Sequence, residues 1–111
     1  MSLSLHSFYP FIHIHGLIEK QFSAVELVTA YLARIKKDNP QLNDFITLTE
    51  ESALQQAQDI DTQIVQGEQL SYLAGIPYAA KDIFLTQGIK TTAASKILAD
   101  FIAPYESTTT Q

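Results

Sequence analysis

The run Gly75-Ile76-Pro77-Tyr78-Ala79-Ala80, ended abruptly by the charged pair Lys81-Asp82, restricts the fold of this chain more than any other feature. It is apolar without alternation, as a strand covered on both faces must be, and Pro77 stands near its start, where a missing N–H is tolerable. A strand of that kind, expected over 76–81, needs neighbours. The other segment rich in strand formers is Phe45-Ile46-Thr47-Leu48-Thr49, which suits a short strand over 44–48. The chain thus offers about two or three strands, against the roughly five or six of an average sheet. The expected class is α/β, and the shortage of strands marks an incomplete domain.

Two helices are written locally. In Ser23-Ala24-Val25-Glu26 a serine stands at N-cap with a glutamate three residues later, so that each side chain can take up a free backbone N–H of a helix start. Ala24, Leu27, Val28, Tyr31, Leu32 and Ile35 follow as one apolar stripe, and Asn39-Pro40 is the expected stop, giving a helix over 24–37. A second helix is expected over 50–66, from Ala53, Ala57, Ile60 and Ile64, with Thr49 as cap and Gly67 just past the end. Beyond Lys81 come Gly88 in a turn, Thr91-Thr92, a short helix around 95–98 and Pro104 in a closing loop.

Composition excludes several functions. A net charge of -5, without a basic cluster, repels a phosphate backbone, so direct nucleic-acid binding is not expected. With no cysteine there is no disulfide, thiolate metal site or thiol nucleophile. The four glycines stand far apart and form no phosphate loop. The first residues lack a basic segment, and His6, His13 and His15 interrupt their apolar character, which suits neither a signal peptide nor a membrane span; a cytoplasmic protein is expected.

Among candidate chemical groups, Lys81 stands at the carboxyl end of the apolar run, where α/β folds commonly place their sites. A lysine acts as a base only when neutral, which from a reference pKa of about 10.4 requires roughly 4 kcal/mol of disfavoured charge. Burial must supply most of it, and an apolar run such as 76–80 is the right kind of surroundings. A contacting Asp82 carboxylate would oppose it, although in a regular strand the two neighbours face opposite sides. Position and pattern alone fit a solvated lysine at a strand end better. His13 and His15 alternate but have no third ligand at suitable spacing, so no metal site is expected; a helix with Ile14, Leu17 and Ile18 inward and the histidines at its solvated edge accounts for them. Thr91, Thr92 and Thr108 to Thr110 lack an activating base and suit turns and caps.

Three stretches together resemble one family. They are Ser23-Ala24-Val25-Glu26-Leu27-Val28 with Tyr31-Leu32-Ala33-Arg34-Ile35, then Leu42-Asn43-Asp44-Phe45-Ile46-Thr47, then Leu73-Ala74-Gly75-Ile76-Pro77-Tyr78-Ala79-Ala80-Lys81-Asp82. Their order and spacing are similar to the N-terminal region of amidase-signature enzymes. Gly88-Ile89-Lys90-Thr91-Thr92, Ala94-Ser95-Lys96-Ile97-Leu98 and Pro104-Tyr105-Glu106 resemble the glutaminase branch that serves tRNA-dependent amidotransferases. Met1 to Lys20 resembles the family only loosely, and Ala93 stands where many members carry cysteine.

The resemblance implies N-terminal helices and the first strands of an amidase-signature mixed sheet, with residues 1–111 as the N-terminal fragment of a single domain. It implies a Ser–cis-Ser–Lys triad in which Lys81 is the lysine and both serines lie downstream of this chain. The activity implied for the parent, a carbon–nitrogen ligase component, is glutamine hydrolysis, delivering ammonia for transamidation of mischarged Glu-tRNA(Gln) or Asp-tRNA(Asn). It implies a heterotrimer with amidotransferase subunits B and C, with ATP and Mg on the partner, no cofactor in this chain, and tRNA met through the partner. Another amide hydrolase of the same family, or a non-catalytic remnant keeping only subunit-binding surface, fits the same residues. Given glutamine, the isolated chain is expected to release no ammonia above buffer, and to aggregate or bind a hydrophobic dye. Measured ammonia, or a sharp cooperative melt of a monomer, would contradict this.

Overall fold

The structure is a computed structural model describing residues 15–111. The chain divides into two compact units, one formed by residues up to Gln41 with Glu50–Pro77, the other by Leu42–Thr49 with Tyr78–Gln111. The first unit is helical, and its two long helices are α1 (Ala24–Leu42) and α2 (Glu50–Gln66).

Every free N–H in the first turn of α1 finds an acceptor. Glu26 N–H donates to Ser23 Oγ at 3.0 Å and Ser23 N–H donates to the Glu26 carboxylate at 2.8 Å, a reciprocal capping box. The two N–H groups this leaves, on Ala24 and Val25, donate to the two oxygens of Asp61, at 2.7 and 3.1 Å. Asp61 lies on α2, so a single carboxylate both caps α1 and fixes its start against its neighbour; the positive end of the α1 dipole favours the same charge.

The apolar stripes meet between the helices. Leu17, Ala24, Leu27, Val28, Leu32 and Ala57 form the core, and Tyr31, Ala53, Leu54, Ile60, Ile64 and Ile76 pack against it. Gly75 closes this core from the side: a Cβ there would lie 2.9 Å from Leu17 Cδ1 and 3.2 Å from Ile60 Cγ2, and its φ of +80° serves a turn in which Ile76 N–H donates to Leu73 C=O at 3.1 Å.

The ends of the helices differ in how they stop. At the end of α2, Gly67 takes φ +73°, Gly67 N–H donates to Ile64 C=O and Glu68 N–H to Gln63 C=O, the paired bonds of a Schellman cap. Helix α1 does not stop before Asn39-Pro40 as expected; it runs through Pro40 to Leu42, and Asn43 takes the left-handed φ of +53° beyond it. Pro40 deprives only the Lys36 carbonyl of a donor, on an exposed stretch where water can replace it, so the helix continues past it.

The strands expected over 44–48 and 76–81 are not formed among the described residues, and the sheet of the expected α/β class is absent from them. A strand exists only through a ladder with another backbone, and neither segment lies along a partner there. The run 76–80 is not covered on both faces either, since Tyr78, Ala79 and Ala80 are exposed. The short helix expected around 95–98 is a succession of turns closed by Ser95 N–H to Thr92 C=O and Leu98 N–H to Ser95 C=O. In the second unit the one extended pairing is a single antiparallel bridge, Lys90 with Ile102.

Replacing Asp61 with Ala removes a charged acceptor from two N–H groups and should destabilise the first unit by about 2–3 kcal/mol, more than the roughly 1 kcal/mol of Ser23→Ala. Urea denaturation followed by helical circular dichroism checks the order; equal losses would assign Asp61 no cross-helix role.

Candidate active site

Lys81 stands at the head of a tight reversal in the second unit. Its carbonyl accepts from Ile83 N–H at 2.8 Å and from Phe84 N–H at 3.0 Å, so the chain turns directly behind it with Asp82 at the centre. The lysine itself is exposed, as are the three residues preceding it. The expected burial of Lys81 by the run 76–80 is therefore corrected: with no sheet over that run among the described residues, both the lysine and residues 78–80 are exposed.

Asp82 faces away from that role. Its carboxylate accepts from Thr92 N–H at 2.8 Å, from the Thr92 hydroxyl and from Ala94 N–H at 3.3 Å, while its carbonyl accepts from Ala93 N–H at 2.8 Å. No Lys81–Asp82 ion pair forms among the described residues. The four bonds hold an unfavourable backbone: Ala93 and Ala94 have φ of +47° and +55°, in the left-handed region that costs about 1–2 kcal/mol for a residue with a Cβ. Bonds to an ionised acceptor are worth roughly 1.5–3 kcal/mol each, enough to offset two such residues. Partial burial alone would raise the Asp82 carboxyl, but the bonds from the Thr92 hydroxyl, Thr92 N–H and Ala94 N–H outweigh it and hold it below the ordinary carboxylate value.

The threonines serve this architecture. Thr91 and Thr92 are each 6% exposed; Thr91 N–H donates to Phe101 C=O at 3.1 Å, and the Thr92 hydroxyl is committed to Asp82 while accepting from Ala94 N–H at 3.2 Å. Thr110 Oγ1 donates to Leu85 C=O at 3.0 Å, in a closing turn that also engages Ser107. Glu106 accepts from Gln87 N–H at 2.6 Å, and the neighbouring Thr110 hydroxyl together with that N–H lowers its carboxyl. Sequence reasoning singled out Lys81 and the two threonines but not the bond between Asp82 and Thr92, because a side chain capping a loop ten residues away leaves no local pattern; only the readiness of Asp to accept backbone N–H groups hints at it.

His13 and Ile14 lie outside the described residues. His15 is exposed on a helical turn over 15–18, with Nε2 3.1 Å from Glu19 Oε1. Leu17 points inward, but Ile18, expected to do so, is 61% exposed, since so short a turn buries one side only. Among the described residues no group of three His, Cys, Asp or Glu is placed to hold a metal ion. No helix among them is long and apolar enough to cross a membrane. A cavity of about 170 Å³ lies between α1 and α2, lined by Thr29, Leu32, Ala33, Lys36, Glu50 and Leu54; the Lys36–Glu50 pair, 2.7 Å apart, uses up its charges against each other.

The lysine on its turn, with the Asp82-anchored loop, falls within a match to the amidase family that runs over residues 26–111. The chain belongs to the amidase family. It is 52% identical over 98 residues to a Hahella chejuensis protein that bears the name of the A component of glutamyl-tRNA(Gln) amidotransferase, a match covering 88% of this chain and 20% of that protein. It is 53% identical over 95 residues to the protein of the same name in Microcystis aeruginosa, covering 86% and 20%, and 54% identical over 94 residues to that of Synechococcus sp. strain JA-3-3Ab, covering 85% and 18%. The chain thus spans about a fifth of the length of these relatives.

Both lowered carboxyls, Asp82 and Glu106, bind the proton less readily in the folded unit than in the unfolded chain. Their contribution is complete above the ordinary values of 3.8 and 4.5 and is lost as pH falls through the lower folded values. In an acid titration by nuclear magnetic resonance, the Thr92 and Ala94 amide signals should move with a midpoint below 3.8; a midpoint at or above it would contradict the anchoring.

Proposed function

We propose that this segment is the lysine-bearing part of an enzyme that hydrolyses the side-chain amide of glutamine and passes the ammonia on for transamidation of Glu-tRNA(Gln) or Asp-tRNA(Asn). The observation carrying this reading is identity of about one half, over most of the chain, to proteins named for that amidotransferase. The amidase match over 26–111, which includes Lys81, supports the hydrolytic half of it.

On this reading Lys81 is the base of a Ser–cis-Ser–Lys arrangement. In its neutral form it takes the proton of a bridging serine, which in turn takes that of the nucleophilic serine as it attacks the amide carbon; the proton returns by the same route to the amide nitrogen, the C–N bond breaks to leave an acyl-enzyme and ammonia, and water completes the hydrolysis. Parts of the enzyme outside this segment supply both serines, the oxyanion donors and the burial that keeps the lysine neutral. Subunits B and C complete the complex, with ATP and Mg on the partner that meets the tRNA. The net charge of -5 agrees with tRNA being held elsewhere.

In a full-length protein carrying this segment, Lys81→Ala should lower glutamine-dependent ammonia release by at least about a thousandfold, as loss of a triad member does. Retained turnover would refute the role of Lys81, and faster ammonia release from other small amides than from glutamine would refute the substrate.

A further inference from the structure

The turn that begins at Lys81 is not held by its own bonds alone. Its central residue, Asp82, is tied through side chain and carbonyl to residues 92–94, so the backbone from which the lysine projects is fixed by a loop ten residues further on. A lysine side chain has four rotatable bonds, and it delivers its amine to a chosen point only if the direction of its Cα–Cβ bond is set. Beyond the turn's own two bonds to the Lys81 carbonyl, the tie to 92–94 braces it, since the lysine side chain is exposed and its expected strand is not formed among the described residues.

We propose that Asp82 is a positioning residue for Lys81, acting through the Thr92 hydroxyl and the 92–94 backbone, with Thr92 as its main partner. The carboxylate does not touch the reacting atoms. Its three acceptor bonds leave it committed to the loop, which also prevents it from pairing with the lysine and stabilising the charged form that a base must avoid. The left-handed Ala93 and Ala94 are what allows the Thr92 and Ala94 N–H groups to reach the Asp82 carboxylate while Ala93 N–H reaches its carbonyl. This inference rests on the assignment of Lys81 as the base.

Two arms separate the inference from that assignment. In a full-length amidase carrying this segment, amide hydrogen exchange is measured for Asp82→Ala, Thr92→Val and Thr92→Ser. Thr92→Val should speed exchange at Ile83 and Phe84, behind the lysine, by at least about fivefold together with that at Ala93 and Ala94, leaving α1 and α2 unchanged, and Thr92→Ser should restore it. Exchange changes confined to 92–94 would overturn the proposal, and should Asp82→Ala unfold the unit, the two Thr92 variants still decide. In a full-length amidase carrying this segment, Thr92→Val and Asp82→Asn should lower kcat by at least about tenfold with KM altered less than about twofold, and Thr92→Ser should recover most of the loss. Wild-type kcat in Thr92→Val and Asp82→Asn beside an inactive Lys81→Ala would sink the positioning role alone; an active Lys81→Ala would sink the assignment on which it rests.

Discussion

The helical unit depends on the carboxylate of Asp61. A helix start exposes several N–H groups, and the Ser23–Glu26 capping box answers only part of that need for α1. Asp61 answers the rest from the middle of α2, and in doing so sets the relative placement of the two apolar stripes. Leu27, Val28 and Ala57 then share one core with Leu17, and Gly75 closes against Leu17, Ile60 and Ala24. The geometry of the core follows from one ionised group that is itself only partly exposed.

The second unit is built on a different principle. Its buried residues are few, Ala103 and the Thr91–Thr92 pair, while Tyr78, Ile97, Ile102 and Tyr105 are exposed. What orders it is a series of polar ties: Asp82 to 92–94, Glu106 to Gln87, Thr110 to Leu85 and the 88–91 backbone to 101–103. Such ties fix directions well but bury little apolar area, so they order loops without supplying a hydrophobic driving force. Lys81 sits in this setting, and the same bonds that orient its backbone leave its side chain in solvent.

Asp82 behaves differently from what the chain alone suggests. As a strand neighbour it would be a potential antagonist of the lysine, kept apart only by alternation. It is instead withdrawn from Lys81 by Thr92 and Ala94, in a turn and not in a strand. The threonines, legible as turn residues, are the partners of that carboxylate.

By itself the sequence determined whatever depends on neighbours a few residues apart. The capping box at Ser23, the stripe from Ala24 to Leu32, the second helix over 50–66 and its glycine stop at Gly67 were all legible, because helical bonds and caps join residues within one or two turns. Tertiary structure decided what depends on groups distant along the chain: Asp61 reaching Ala24, Asp82 reaching Thr92, and the failure of 44–48 and 76–81 to become strands. A strand has no internal hydrogen bonds, so its formation rests on a partner that the segment's own residues cannot specify. The run ending at Lys81 carries the composition of a buried strand, and only a sheet to receive it would make it one.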